Sequence, residues 1–351
     1  MTFLYILLGI LMFGALILTH EAGHFFFARL FGVTVHEFAI GMGPKLLSHT
    51  SKKGITYSLR AFPIGGFVSM AGEDEDSDDP NGIDKKPLWQ RMIVVAAGAL
   101  VNILTGFVLM GIISASSDIA SLQIKEFYVV SEATGEWVDT DEILGLRVGD
   151  TIKKIGKRTI NVSDDLLYEV MFIGDKPVDV TVKRDGEMVV IPDVSFPTYV
   201  AEGIEFGNAA FIGLETAKKT PFVVVKEAVC RGFSTIRMLF DSVIALFKGQ
   251  YGTEALSGPV GVVDAVGETA SYGVMAFLFF VAVIALNLGL VNLFPLPALD
   301  GGRLFFMLIE LIFRRKVPAK FEAAVHTAGF VLLMGLMVFV TYQDIVKIIF
   351  R

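Results

Sequence analysis

His20-Glu21-Ala22-Gly23-His24 ends an apolar run in which no residue from Phe3 to Thr19 carries a charge. On a helix, residues four apart share a face, so both imidazoles can reach one metal ion while Glu21 stands beside it. Two nitrogen ligands and an adjacent carboxylate are the parts that zinc-assisted hydrolysis needs: the carboxylate takes a proton from activated water and passes it on. In an ordinary soluble helix the pair could arise by chance. Here it continues a membrane-spanning pattern, where ionisable groups are costly and functional by default. At about 1.5 Å per residue, His20 lies roughly 25 Å along from Phe3, past the bilayer midplane and toward the far face.

The whole chain has the same character. It has 351 residues, 53% of them hydrophobic, and a mean hydropathy of +0.62, which points to a polytopic membrane protein and excludes a large soluble enzyme. The net charge of -7 and pI of about 5.3 offer no basic footprint, so no nucleic acid partner is expected. The single cysteine, Cys230, excludes an intramolecular disulfide and reads as a small packed side chain rather than a nucleophile. The first apolar run lacks the basic flank and small-residue cleavage site of a secretory signal, and cleavage would sever the motif.

Residues 1–31 form the first predicted span, and residues 32–87 a glycine-containing loop at the cytoplasmic face with a β segment. In that loop Ile55 to Arg60 and Phe62 to Met70 read as strands. An exposed edge containing Gly65 and Gly66 could hold an extended substrate by main-chain hydrogen bonds; the alternative is a connecting loop with some β structure. The acidic run Glu73 to Asp79 reads as a solvated, mobile loop without an EF-hand pattern. Residues 88–115 form the second span, where Ala96, Ala97, Gly98 and Ala99 permit close helix packing. Asn102 is its one strongly polar group, read either as an interhelical hydrogen bond or as a contact to substrate backbone.

Residues 115–271 have room for one soluble domain. Over 120–200, short β segments surround a helical stretch from Asp164 to Phe172, and Gly145-Leu146-Arg147-Val148-Gly149-Asp150-Thr151-Ile152 resembles a PDZ signature. PDZ domains bind peptides by strand addition. Thr134 to Glu142 is more acidic than the small-residue stretch such domains carry there. Residues 205–271 read as an amphipathic, interfacial linker region. Its helix over 222–248 has Val225, Val229, Phe233, Ile236, Phe240, Val243 and Phe247 on one stripe and Lys226, Glu227, Arg231, Arg237 and Asp241 on the other.

Residues 272–300 form the third span, ending in the broken stretch Asn292 to Gly302; irregular backbone at membrane depth must be buried or line a wet cavity. By alternation of spans Asp300 returns to the side of His20 and His24. Taken alone it reads as a helix N-cap; beside the paired histidines it completes a His-His-Asp set that leaves a position open for water. Residues 301–323 are a basic cytoplasmic segment, and residues 324–343 form the fourth span. The lysines and arginines of the two short loops place these on the cytoplasmic side, with both termini and the middle domain outside. The predicted fold is thus a polytopic α-helical membrane protein with about four transmembrane helices, a membrane-associated β segment and an inserted extracytoplasmic PDZ-like α+β domain.

With these motifs together, the chain resembles the bacterial site-2 proteases of the regulator-of-sigma-E protease type over nearly its whole length. The resemblance rests on His20 to His24, the Gly65-Gly66 segment, Asn102, the PDZ-like phrase, Leu256-Ser257-Gly258-Pro259-Val260-Gly261, and Asn292 to Gly302. It implies Zn2+ bound by His20, His24 and Asp300, Glu21 as general base, and substrate main-chain contacts from Asn102 and Asn292. It further implies, as substrates, single-pass membrane proteins already cut by a site-1 protease, such as anti-sigma factors or remnant signal peptides, met within membrane lipid. Gly98-Ala99 stands where many relatives have Gly-Pro, and only one PDZ-like unit fits. Two other classes fit the residues less well. A non-catalytic membrane PDZ adaptor with a structural zinc site would not need Glu21, and a transporter would show an inverted repeat, which is absent from the sequence.

Overall fold

The computed structural model describes residues 2–73, 77–130, 137–138, 142–201, 204–249 and 257–349. Asp74 to Asp76 of the acidic run, most of the 134–142 stretch and Leu256 lie outside the described residues. In chain order come α1 (Thr2–Leu30), β1 (Val35–Thr50), β2 (Thr56–Met70), α2 (Leu88–Ser116) and β3 (Ala120–Phe127). Then follow β4 (Thr151–Ile155), α3 (Ser163–Ile173), β5 (Val178–Arg184), β6 (Glu187–Val194) and β7 (Ile212–Thr216). The chain continues through α4 (Pro221–Phe247), α5 (Pro259–Ser271), α6 (Val274–Leu293), α7 (Asp300–Phe313) and α8 (Ala319–Ile349). Shorter pairings, such as Arg158–Thr159 against β4, flank these strands.

Four helices among the described residues are long and apolar enough to cross a membrane: Leu4–Leu30, Leu88–Ser116, Val274–Leu293 and Lys320–Lys347. The shortest has 20 residues, about 30 Å at 1.5 Å per residue, which matches the hydrocarbon thickness. This is a polytopic membrane protein with an added β-sheet region.

The chain divides into two compact units, residues 1–109 with 256–351, and residues 110–255. In the first, α1 meets α2 where both carry glycine: a Cβ at Gly23 would stand 2.6 Å from Ala97 O and 3.0 Å from Gly98 Cα. Absence of side chains there lets the backbones touch, as small residues do between membrane helices. Met12 and Leu16 of α1 pack with Val266 of α5 and Ala285 of α6, and the Asp344 carboxylate of α8 accepts from Gly261 N (2.8 Å) in the first turn of α5. The β1–β2 pair curls on itself. Residues 35–40 pair with 66–70 on one side, Ile40 opposite Gly66, and lie alongside 56–59 on the other, while 45–50 closes back on 56–60. Residues 66–70 are therefore an edge. Glu37 holds this sheet through Lys45 (2.9 Å), Arg60 (2.8 Å) and Ser58 (2.5 Å), partners that push its carboxyl down to about 2.

The second unit is built on an antiparallel sheet in the order β6-β5-β4-β3-β7. Ile124, Ile152, Ile155, Val180 and Val182 from its strands pack on Leu166 and Val170 of α3. Within the glycine-rich phrase, Leu146 and Ile152 are core residues. Asp150 is buried, accepting from Arg147 N (2.9 Å) and pairing with Arg184 (2.7 Å). Helix α4 starts at Pro221, with the Thr220 side chain accepting from Val223 N, a favourable N-terminus. Three of the charges on α4 pair inside this unit: Arg231 with Asp164 (2.9 Å), Arg237 with Asp165 (2.7 Å), and Asp241 with Arg158. Its apolar stripe is left outward, with Phe222, Val225, Phe233 and Phe247 exposed.

Candidate metal centre

His20 and His24 occupy successive turns of α1, and their Nε2 atoms lie 3.2 Å apart. Asp300 arrives from the other end of the sequence. It is the first residue of α7, with Leu299 in the cap position, so its side chain does not cap the helix. Its Oδ2 stands 3.1 Å from His20 Nε2 and 3.4 Å from His24 Nε2. Two glycines make this approach possible. A Cβ at Gly301 would stand 2.6 Å from Phe294 C, and one at Gly302 would meet Leu296 O at 2.5 Å. The broken stretch 294–299 can fold over the start of α7 only because these two positions carry no side chain. At the break Ala298 has φ of +71, a conformation disfavoured for a residue with a Cβ. It is fixed by donation from Ala298 N to His326 Nδ1 (2.9 Å).

The three ligand atoms fit a metal. Bonds of about 2.0–2.1 Å in a tetrahedron put ligand atoms about 3.3 Å apart, and the observed separations bracket that figure. Asp300 Oδ2 is buried with no hydrogen-bond partner among the described residues. An orphaned carboxylate oxygen facing two imidazole nitrogens is costly unless a cation joins them. His24 has its other nitrogen, Nδ1, 2.8 Å from Val94 O. Nδ1 must be the donor there, which leaves Nε2 with a lone pair directed at the same point.

Around this cluster is a cavity of about 460 Å³, lined by Glu21, Phe67, Val68, Arg303 and His326 as well as the three ligand residues. Glu21 makes no hydrogen bond among the described residues. A Cβ on Gly66 would stand 3.2 Å from its Cγ, so Gly66 lets the edge strand lie directly against the glutamate. Gly65, within β2, has φ of +88, and neither it nor Gly66 is in the cavity lining. Asn292, on the last turn of α6, is half-buried and outside the cavity lining. Asn102 is fully buried against α1 and is also not in the lining. Glu73, read above as part of a solvated run, turns inward and pairs with Arg303 (2.6 Å). Arg303 and His326 join the site only through the fold. The signal for His326 was present: an ionisable residue inside the fourth apolar run.

Two imidazoles and a carboxylate converging among apolar helices, beside a glutamate with no hydrogen bond among the described residues, define a membrane-embedded metallohydrolase. Comparison with known proteins gives the family. The sequence signature of peptidase family M50 matches residues 8–336. A Clostridium perfringens protein with a provisional zinc metalloprotease name is 36% identical over 345 residues, 98% of this chain and 99% of the relative. A protein of Clostridium acetobutylicum with the same provisional name is 34% identical over 349 residues, 99% of this chain and 98% of the relative. The zinc metalloprotease RasP of Shouchella clausii is 28% identical over 422 residues, 97% of this chain and 98% of the relative. The chain belongs to peptidase family M50, the site-2 proteases.

Proposed function

We propose that this peptidase is an intramembrane zinc metalloendopeptidase, acting on peptide bonds within or near the transmembrane segments of single-pass membrane proteins such as anti-sigma factors or remnant signal peptides. The observation that carries this reading is the convergence of His20 Nε2, His24 Nε2 and Asp300 Oδ2 beside Glu21. Zinc held there supplies a Lewis acid that acidifies water and polarises a peptide carbonyl. Glu21 takes the proton of the attacking water on a carboxylate oxygen and delivers it to the departing amine nitrogen.

A substrate helix hides its carbonyls in internal hydrogen bonds, so it must unwind at the bond to be cut. Edge residues 66–70, lying against Glu21, offer main-chain partners to the unwound stretch, which supports strand addition as the holding mode. Asn292 is the substrate contact we assign on α6, since its amide has no partner among the described residues. Residues 120–200 are proposed as an extracytoplasmic PDZ-like domain that tests the outer stump left by a site-1 protease; the buried Asp150–Arg184 pair and the α3-covered sheet support that reading. The basic short loops support a cytoplasmic position for the β segment, with the metal nearer that face.

The test is cleavage of a tagged, truncated single-pass substrate by purified protein in detergent, wild type beside Glu21→Gln, with zinc measured on both. Equal zinc with cleavage by the wild type alone supports the reading. Zinc without cleavage by the wild type on a panel of weak-helix substrates refutes it.

A further inference from the structure

The strongest unassigned polar group in the membrane region is the Asn102 side chain. It is 0% exposed, and a buried amide must have its hydrogen bonds supplied by protein. It faces two neighbours on α1: as placed, its Oδ1 is 3.0 Å from Thr19 Oγ1 and its Nδ2 is 3.4 Å from His20 Nδ1. Its oxygen and nitrogen are alike in shape, so which one faces which neighbour follows from the network. The Thr19 hydroxyl has one proton, and Leu16 O, one turn back on α1, accepts it at 2.8 Å. One proton cannot serve Leu16 O and Asn102 Oδ1 together; given to the nearer Leu16 O, it leaves Thr19 Oγ1 an acceptor toward Asn102, and a half-turn of the amide from its placed orientation brings the NH2 there. The carbonyl oxygen of Asn102 then faces His20 Nδ1, which must carry the proton.

We infer that Asn102 is a positioning residue of the metal centre: its carbonyl accepts from His20 Nδ1, which fixes the ring and keeps the Nε2 lone pair on the metal. This rests on the zinc peptidase reading above and deepens it. The two histidines are then held alike, His24 by the Val94 carbonyl (2.8 Å) and His20 by the Asn102 carbonyl. The amide kept as placed, with Nδ2 toward His20 Nδ1, would put the His20 proton on Nε2, pointing at Asp300, and would remove one ligand from the site. Burial also separates this role from a substrate contact, since the amide is sealed between α1 and α2 and does not border the cavity. The seal is made by Gly98, one turn earlier on α2, where a Cβ would stand 2.8 Å from His20 Cε1.

The test is zinc affinity of the full chain in detergent, measured by chelator competition, with KM for a truncated single-pass substrate measured at saturating zinc. Asn102→Leu keeps the volume and removes the acceptor, and zinc binding should weaken about 10–100-fold, as for other groups that orient a metal ligand. Asn102→Asp keeps an oxygen facing Nδ1 and should restore affinity to near the wild-type value. Thr19→Val frees the amide to turn and should cause a smaller loss in the same direction. KM should stay at the wild-type value in all three. Wild-type zinc affinity in Asn102→Leu with a raised KM would overturn the inference in favour of a substrate contact. Equal losses in the Leu and Asp variants would overturn it in favour of packing alone. A wild type that binds no zinc would instead refute the peptidase reading, so the two failures are distinguishable.

Discussion

Gly98→Ala adds one methyl group, and the structure gives its consequence. On an open helix face the change would stabilise by about 1 kcal/mol, because alanine is the better helix former. At Gly98 the new Cβ would collide with His24 Nε2 and stand 2.8 Å from His20 Cε1, so it enters the side of the metal centre. The His24 ring cannot swing away freely, because its Nδ1 is held by Val94 O at 2.8 Å. Nor is α2 free to retreat, because it also packs backbone to backbone on α6, where a Cβ on Gly289 would stand 2.7 Å from Ala99 O. Overpacking of a closed site costs about 1–3 kcal/mol. Borne by the ligand geometry, that strain weakens zinc binding about 5- to 150-fold, at 1.4 kcal/mol per tenfold. Chelator competition on the purified chain reads this directly. Gly14→Ala is the control, since it is the same change in an apolar helix with no atom within 4 Å of the new Cβ, and it should bind zinc as the wild type does. A Gly98→Ala protein that matches the wild type in zinc affinity and cleavage would refute the placement of α2 against the two histidines.

Asp300→Ala removes a ligand outright and should lower zinc affinity by more than about 100-fold, beyond the loss from an orienting group, as read by metal content after dialysis. Glu21→Gln should keep the zinc and lower cleavage by at least about 10²-fold, the usual contribution of a general base. His326→Ala removes the acceptor of Ala298 N and should loosen the break that delivers Asp300; His326→Asn, which keeps an oxygen near the Nδ1 position, should recover much of the melting temperature and zinc content. In the second unit, burial pushes Glu227 up to about 7 from 4.5. Its folded pKa is raised, so the stability linked to its proton is complete below pH 4.5 and is lost as pH rises through about 7. Glu227→Gln should therefore melt higher than wild type above pH 7 and lose that advantage toward pH 4.5.

The sequence by itself determined whatever depends on neighbours along the chain. His20 and His24 share a face because they are one helical turn apart, and nothing distant can alter that spacing. The apolar runs set the membrane helices by length and composition, and the proline and glycine pairs around Asp300 announced a break. The partners of the charged residues were not legible, because they depend on which faces meet. The α4 charges read only as the polar face of an amphipathic, interfacial helix; the fold gives two of them partners, Arg231 and Arg237 meeting acids of α3 about 70 residues away. Glu73 read as part of a mobile acidic run, yet it pairs with Arg303 across 230 residues. Asn102 read equally well as glue or as a substrate contact, since one polar residue in an apolar helix carries no direction of its own. Only the close crossing of α1 and α2, set by Gly23 and Gly98, sealed it against His20. Delivery of Asp300 to the histidines was likewise decided by packing, because a ligand 276 residues further on reaches the site only when the backbone between α6 and α7 can fold over Gly301 and Gly302.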